Sequence, residues 1–132
     1  MSSNPPEFIN GMPMTEFLGM EITEADDGHA KARLPFREEL TFDTGRFVTM
    51  HGAASFALAD NVGAAAVMSH FEETRPAFTI DLRIDYLAAA TSDLFGEAEV
   101  LRFGGSVAVA DIVVEDEDGE AVAVARGSYR TG

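Results

Sequence analysis

A single carboxylate, Asp60, stands in the run HGAASFALADNVGAAAVMSH at residues 51–70, and nothing else between Gly52 and Val67 carries charge. A carboxylate taken out of water without a partner is costly, or it shifts its pKa. A chain that could carry leucine there has a reason to keep the acid: a structural hydrogen bond, or chemistry in which Asp60 attacks a substrate or activates the water that does. Other reactive groups are scarce. The chain has no cysteine, which excludes thiol catalysis, disulfides and thiolate metal sites. His29, His51 and His70 show neither the HxH nor the HExxH spacing of a metal centre, so no metal is expected.

Charge narrows the partners. Nine basic against 23 acidic residues give a formal charge of −14, which argues against nucleic acid and against anionic membrane surfaces, since both need a basic patch. Lysine occurs once, at Lys31. An acidic surface whose positive charge is nearly all arginine suits a salty cytoplasm, where screening over a few ångströms tames self-repulsion. The opening MSSNPPEFINGMPM offers neither a basic leader nor an apolar segment. Asp60, Asn61 and the glycines also interrupt the apolar run, leaving no membrane span of about 20 residues. The expectation is a soluble cytoplasmic protein, one domain over residues 1–132, long enough to bury a core.

Periodicity supplies the elements that must hold Asp60. Residues 5–20 mix Pro, Gly and Met with Phe8, Phe17 and Leu18, which suggests a short helix packed on the body. Over 21–36, Ala30, Ala32, Leu34 and Phe36 alternate with His29, Lys31 and Arg33 behind the turn Asp26-Asp27-Gly28, a hairpin pattern. Residues 37–50 read as a long irregular loop. The run from Gly52 to His70 is rich in Ala, Leu and Met and too long for a typical strand, so it is expected to be a helix. Being apolar nearly all round, it belongs in an interior, and its small side chains would let a sheet approach closely. Four strands follow, at 79–86, 96–102, 106–115 and 120–130. In the first, Ile80, Leu82, Ile84 and Tyr86 share one face, with Thr79, Asp81, Arg83 and Asp85 on the other. Hairpin-type connections favour antiparallel pairing.

In combination, these residues resemble a known family. His51-Gly52-Ala53 ahead of Ala57-Leu58-Ala59-Asp60-Asn61, then Thr79-Ile80-Asp81-Leu82-Arg83-Ile84-Asp85-Tyr86-Leu87 and Glu117-Asp118-Gly119, are similar to PaaI-type acyl-CoA thioesterases of the hotdog-fold superfamily. The resemblance covers roughly residues 28–130. It implies an α+β hotdog fold, a curved antiparallel sheet of five to six strands wrapped around one long central helix. It also implies hydrolysis of an acyl-CoA to free acid and thiol, with no cofactor apart from the coenzyme A carried by the substrate.

By that resemblance the Gly52 amide polarises the thioester carbonyl, Asp60 is nucleophile or general base, and Thr79 assists the carboxylate. The physics is consistent. Free N–H groups in the first turn of a helix, with its dipole, stabilise charge developing on a carbonyl oxygen, and a glycine leaves room for close approach. Eight residues at about 1.5 Å each separate Gly52 from Asp60 by about 12 Å, so one chain cannot bring both to one carbonyl. Two helices antiparallel across a twofold axis would form two shared sites, which predicts a homodimer, with a dimer of dimers as a further possibility. His51 is expected to cap the loop or bond backbone beside the substrate, next to Ala53. Phe47 and Phe56 are expected to line an acyl pocket.

Two positions depart from the family pattern. Gly45 stands where an asparagine is often found, six residues before the helix histidine. The hairpin that commonly offers Gly-Arg or Gly-Lys near a CoA phosphate reads Arg102-Phe103-Gly104-Gly105-Ser106, leaving Arg102 as the candidate cation. These departures favour the rival reading, a non-catalytic acyl-CoA-binding or structural hotdog dimer. A hydratase would need a histidine paired with an acid, and Ala65 and Ala66 offer none one turn beyond Asp60. The charge pattern gives its own test: thermal unfolding followed across a potassium chloride series should show the melting temperature rising into the molar range. A melting temperature indifferent to molar salt would sink the halophilic reading.

Overall fold

The computed structural model describes residues 4–132. Helices α1 (Pro5–Asn10) and α2 (Pro13–Leu18) precede β1 (Glu21–Asp26) and β2 (His29–Leu34). A 3-10 turn (Glu38–Leu40) leads to a small ribbon of β3 (Thr41–Asp43) and β4 (Val48–Met50), then to the long helix α3 (Gly52–Met68). Strands β5 (Phe78–Tyr86), β6 (Leu94–Phe103), β7 (Val107–Glu115) and β8 (Ala121–Arg130) complete the chain. The large sheet has six strands in the order β1-β2-β6-β7-β8-β5, every neighbouring pair antiparallel. Helix α3 lies across it, packed chiefly on β6, β2 and β7. This is the expected α+β hotdog arrangement.

Small side chains make that packing close. Ala30 and Ala32 on β2, Ala98 on β6, and Ala108 and Ala110 on β7 are all buried on the helix side. At Gly96 a Cβ would stand only 3.2 Å from Val62 Cγ1 and 3.3 Å from Leu58 Cγ, so the strand backbone itself fills the space against the helix. The β1–β2 turn is as its residues require: Asp27 and Gly28 both take positive φ, 49° and 79°, the two-residue geometry that matches strand twist.

Four expectations need correction. The opening segment forms two short helices, each begun by proline at its first position, where a missing N–H is harmless. The loop over 37–50 contains the 3-10 turn and the β3–β4 ribbon, and Gly45 sits at the ribbon's tip with φ 93°, a conformation that favours glycine. Helix α3 ends at Met68 and is not enclosed all round. A single sheet covers only one side of a helix, so Ala53, Phe56, Ala57, Asp60, Asn61 and Ala64 form an open or half-open stripe at helical spacing. The strict alternation read for β5 breaks at Ile80, where a bulge between Thr79 and Asp81 inserts an extra residue. Thr79 is thereby turned to the face of Leu82 and Ile84, toward α3.

The sheet's two edges are treated differently. Beside β1 the Asn10 side chain pairs like a strand, its amide donating to the Ile22 carbonyl at 3.0 Å and its oxygen accepting from the Ile22 N–H at 2.7 Å. The nine-residue β5 pairs with β8 alone and leaves Phe78, Ile80 and Tyr86 exposed. Because Gly96 faces the tightest part of the layer, Gly96→Val should cost about 1–3 kcal/mol and lower the melting temperature by roughly 5–10 °C. Calorimetry checks this, and an unchanged melting temperature would show that α3 can lift from the sheet without penalty.

Candidate active site

Helix α3 begins where the chain has arranged its N–H groups with care. His51 is the N-cap, its Nδ1 accepting from the Ala53 N–H at 3.0 Å, and the Ala54 N–H bonds the His51 carbonyl at 3.0 Å. An acceptor role leaves Nδ1 without its proton. The ring is further steadied edge-on by Phe42, with centroids 5.9 Å apart, and the His51 N–H donates to the Leu40 carbonyl at 2.8 Å. Ala53 is exposed, but its amide is occupied. The Gly52 N–H has no acceptor among the described residues. It is therefore an amide left available at the very start of the helix for a ligand's oxygen.

Tyr86, at the end of β5, completes this corner as a site residue beyond those expected from the sequence. Its hydroxyl donates to the Gly52 carbonyl at 2.8 Å, and partial burial raises its pKa, which keeps it a donor. A Cβ on Gly52 would lie 3.2 Å from the Tyr86 ring. The space read as room for a substrate is thus occupied in part by Tyr86, and the bare residue is needed for that contact. Tyr86 is one of only two tyrosines, but its place in a strand pattern gave no sign of a role at the helix start.

Asp60 lies two turns further along, on the half-open stripe. The Thr79 hydroxyl donates to its Oδ1 at 2.6 Å, a contact the Ile80 bulge makes possible. The fold therefore does bring Thr79 and Asp60 together in one chain. It does not bring Gly52 to Asp60, since helical rise keeps them about 12 Å apart. Phe56, one turn before Asp60, and Phe47, beside β4, are both partly exposed. Arg102 is exposed near the end of β6, where the next residue, Phe103, packs on His70 just past the C-terminus of α3, with ring centroids 4.9 Å apart. It stands at the opposite end of the helix from Gly52.

Two concave surfaces of the chain lie away from the acid. One of about 590 Å³ lies on the outer face of the sheet among His29, Glu97, Asp111, Val124 and Arg126, where His29 pairs with Glu97 and Arg126 with Asp111. Another, of about 420 Å³, lies between His70, Phe71, Arg75 and the Gly104-Gly105 hairpin. Neither includes Asp60, Thr79 or Gly52. Among the described residues no cluster of three or more His, Asp or Glu could hold a metal, and no helix is long and apolar enough to cross a membrane.

Similar proteins agree with this architecture. Residues 47–123 match the thioesterase superfamily, a span that runs from Phe47 through Gly52, Asp60 and Thr79. A Halobacterium salinarum protein assigned as an esterase is 35% identical, covering 93% of this chain and 87% of its own. The medium/long-chain acyl-CoA thioesterase YigI of Escherichia coli is 27% identical over 95% of this chain and 89% of its own. The solved structure of Escherichia coli PaaI, from the phenylacetic acid degradation operon, superposes with a TM-score of 0.84 at 26% identity, covering 98% of this chain and 91% of that one. An open acid held by a strand hydroxyl, an unclaimed amide at the start of the same helix and these similarities agree: the chain belongs to the thioesterase superfamily and is a thioester hydrolase.

Proposed function

We propose that the chain hydrolyses acyl thioesters of coenzyme A at two equivalent sites, each built from Gly52 of one protomer and the partner's Asp60. The observation that carries this reading is the unclaimed Gly52 amide and the Thr79-held carboxylate on one open helical stripe, too far apart to serve one carbonyl. Antiparallel pairing of two α3 helices along that stripe sets the start of each beside the middle of the other. The bare β5 edge next to it supports the same association, because a long unpaired strand with exposed Phe78 and Ile80 favours continuation by another strand.

In such a site the thioester oxygen faces the Gly52 N–H, with Tyr86 and His51 holding the helix start rigid. Asp60 delivers an electron pair to the carbonyl carbon, directly or through a water that it deprotonates. Charge then builds on the oxygen against the amide, and collapse of the tetrahedral species expels the thiolate, which takes up a proton. In the direct route the acyl group is left on Asp60 as an anhydride, which water then opens to free the acid and the carboxylate; in the water route the acid is released at once. Phe47 and Phe56 supply apolar surface for the acyl group, and Arg102 is the cation proposed to meet a CoA phosphate. The acyl-CoA substrate of YigI supports this choice of thiol.

Thiol release from a panel of short, long and aromatic acyl-CoAs in high salt tests the activity, and Asp60→Asn should lower kcat by about 10²–10⁴-fold while keeping the fold. An isolated heterodimer of Gly52→Pro and Asp60→Asn chains keeps one intact site and should recover about half the wild-type rate; no recovery rules out shared sites. Thr79→Ala should lower kcat by about tenfold or more with little change in KM, and Thr79→Ser should restore most of it. Equal rates in all three Thr79 forms would show that the hydroxyl is idle.

A further inference from the structure

Tyr129 is fully buried on β8, with 0% exposure, and its hydroxyl donates to the main-chain carbonyl of Asp60 at 3.2 Å. It is also the direct cross-strand neighbour of Thr79. This one cross-strand residue pair therefore sends both of its hydroxyls to one residue of α3, Thr79 to the carboxylate and Tyr129 to the backbone beneath it. Burial, and after it the charge of Asp60, raise the Tyr129 pKa well above the usual tyrosine range, so the group remains a protonated donor.

The surroundings are shaped to admit this hydroxyl. A Cβ on Gly63, three residues after Asp60, would fall directly on the Tyr129 hydroxyl, and a Cβ on Gly127 would stand 2.8 Å from its ring and hydroxyl. Neither glycine takes a positive φ, so neither is required by backbone conformation. Glycine within a helix weakens it. A phenylalanine would fill most of the same space without burying a polar group, yet the chain keeps both the hydroxyl and the glycine that makes way for it.

We propose that Tyr129 is a positioning residue for the reaction: its hydroxyl sets the height and rotation at which α3 presents Asp60, while Thr79 sets the orientation of the carboxylate. The proposal rests on the reading of Asp60 as the reacting acid. Displacing a reacting group by about 1 Å can cost about 10²-fold in rate. Loss of the hydroxyl should therefore act on turnover more than on substrate binding.

Kinetics of Tyr129→Phe on whichever acyl-CoA the wild-type enzyme turns over best should show kcat reduced by about tenfold or more, with KM within about twofold of wild type. Gly63→Ala, which pushes on the hydroxyl, should reduce kcat in the wild-type background and do less further harm in the Tyr129→Phe background, a non-additivity expected of groups in contact. Wild-type kcat in Tyr129→Phe beside an inactive Asp60→Asn overturns the positioning role and leaves the site reading intact. Full additivity of the Gly63→Ala and Tyr129→Phe losses also overturns it, whereas wild-type turnover in Asp60→Asn overturns the site reading itself.

Discussion

The separation between α3 and the sheet governs this protein. Alanines line the inner face of β2, β6 and β7, and at Gly96 the strand has no side chain at all, so the helix settles against backbone. Protein interiors are packed densely enough that such a separation is not adjustable in small steps. Only with the helix this low can a threonine on β5 reach the Asp60 carboxylate at 2.6 Å, or a buried tyrosine hydroxyl reach its carbonyl. Larger residues on either surface would lift the acid away from both.

The carboxylate and the amide are prepared in opposite ways. Asp60 is half-exposed and receives a hydroxyl donor from the sheet, which avoids the expense of an isolated buried charge while leaving the acid accessible. At the helix start, His51 and its carbonyl take up the Ala53 and Ala54 amides, Tyr86 anchors the Gly52 carbonyl, and the Gly52 N–H is left without a partner. A donor fixed in place needs no reorganisation when charge develops on a bound oxygen. Tyr86 links this corner to β5, the same strand that carries Thr79 at its other end.

The two sheet edges make the same distinction between finished and unfinished surface. Asn10 closes β1 with two hydrogen bonds, whereas β5 ends in unpaired backbone beside the open stripe of α3. Acidic residues dominate the chain, but that stripe carries only Asp60 as charge, among Ala53, Phe56, Ala57, Asn61 and Ala64. Low charge on one face of so acidic a molecule lowers the self-repulsion that any second copy placed there would meet.

Local pattern in the amino-acid order was enough for the long helix and the six strands of the large sheet, for the Asp27-Gly28 turn and for the oddity of one acid in an apolar run, because each depends on neighbours a few residues apart. The spacing of His51-Gly52-Ala53 and Asp60 also carried the family resemblance. Other features depended on which surfaces meet. The Ile80 bulge reverses the face of Thr79, and alternation counted along an isolated strand cannot see it, since a bulge exists only relative to the partner strand. Tyr86 on Gly52 and Tyr129 beneath Asp60 are contacts across 34 and 69 residues of chain, brought together by packing and not by any local preference. The helix read as enclosed is open along one stripe for the same reason: hydrophobicity is a property of residues, but what covers them is decided by the tertiary arrangement.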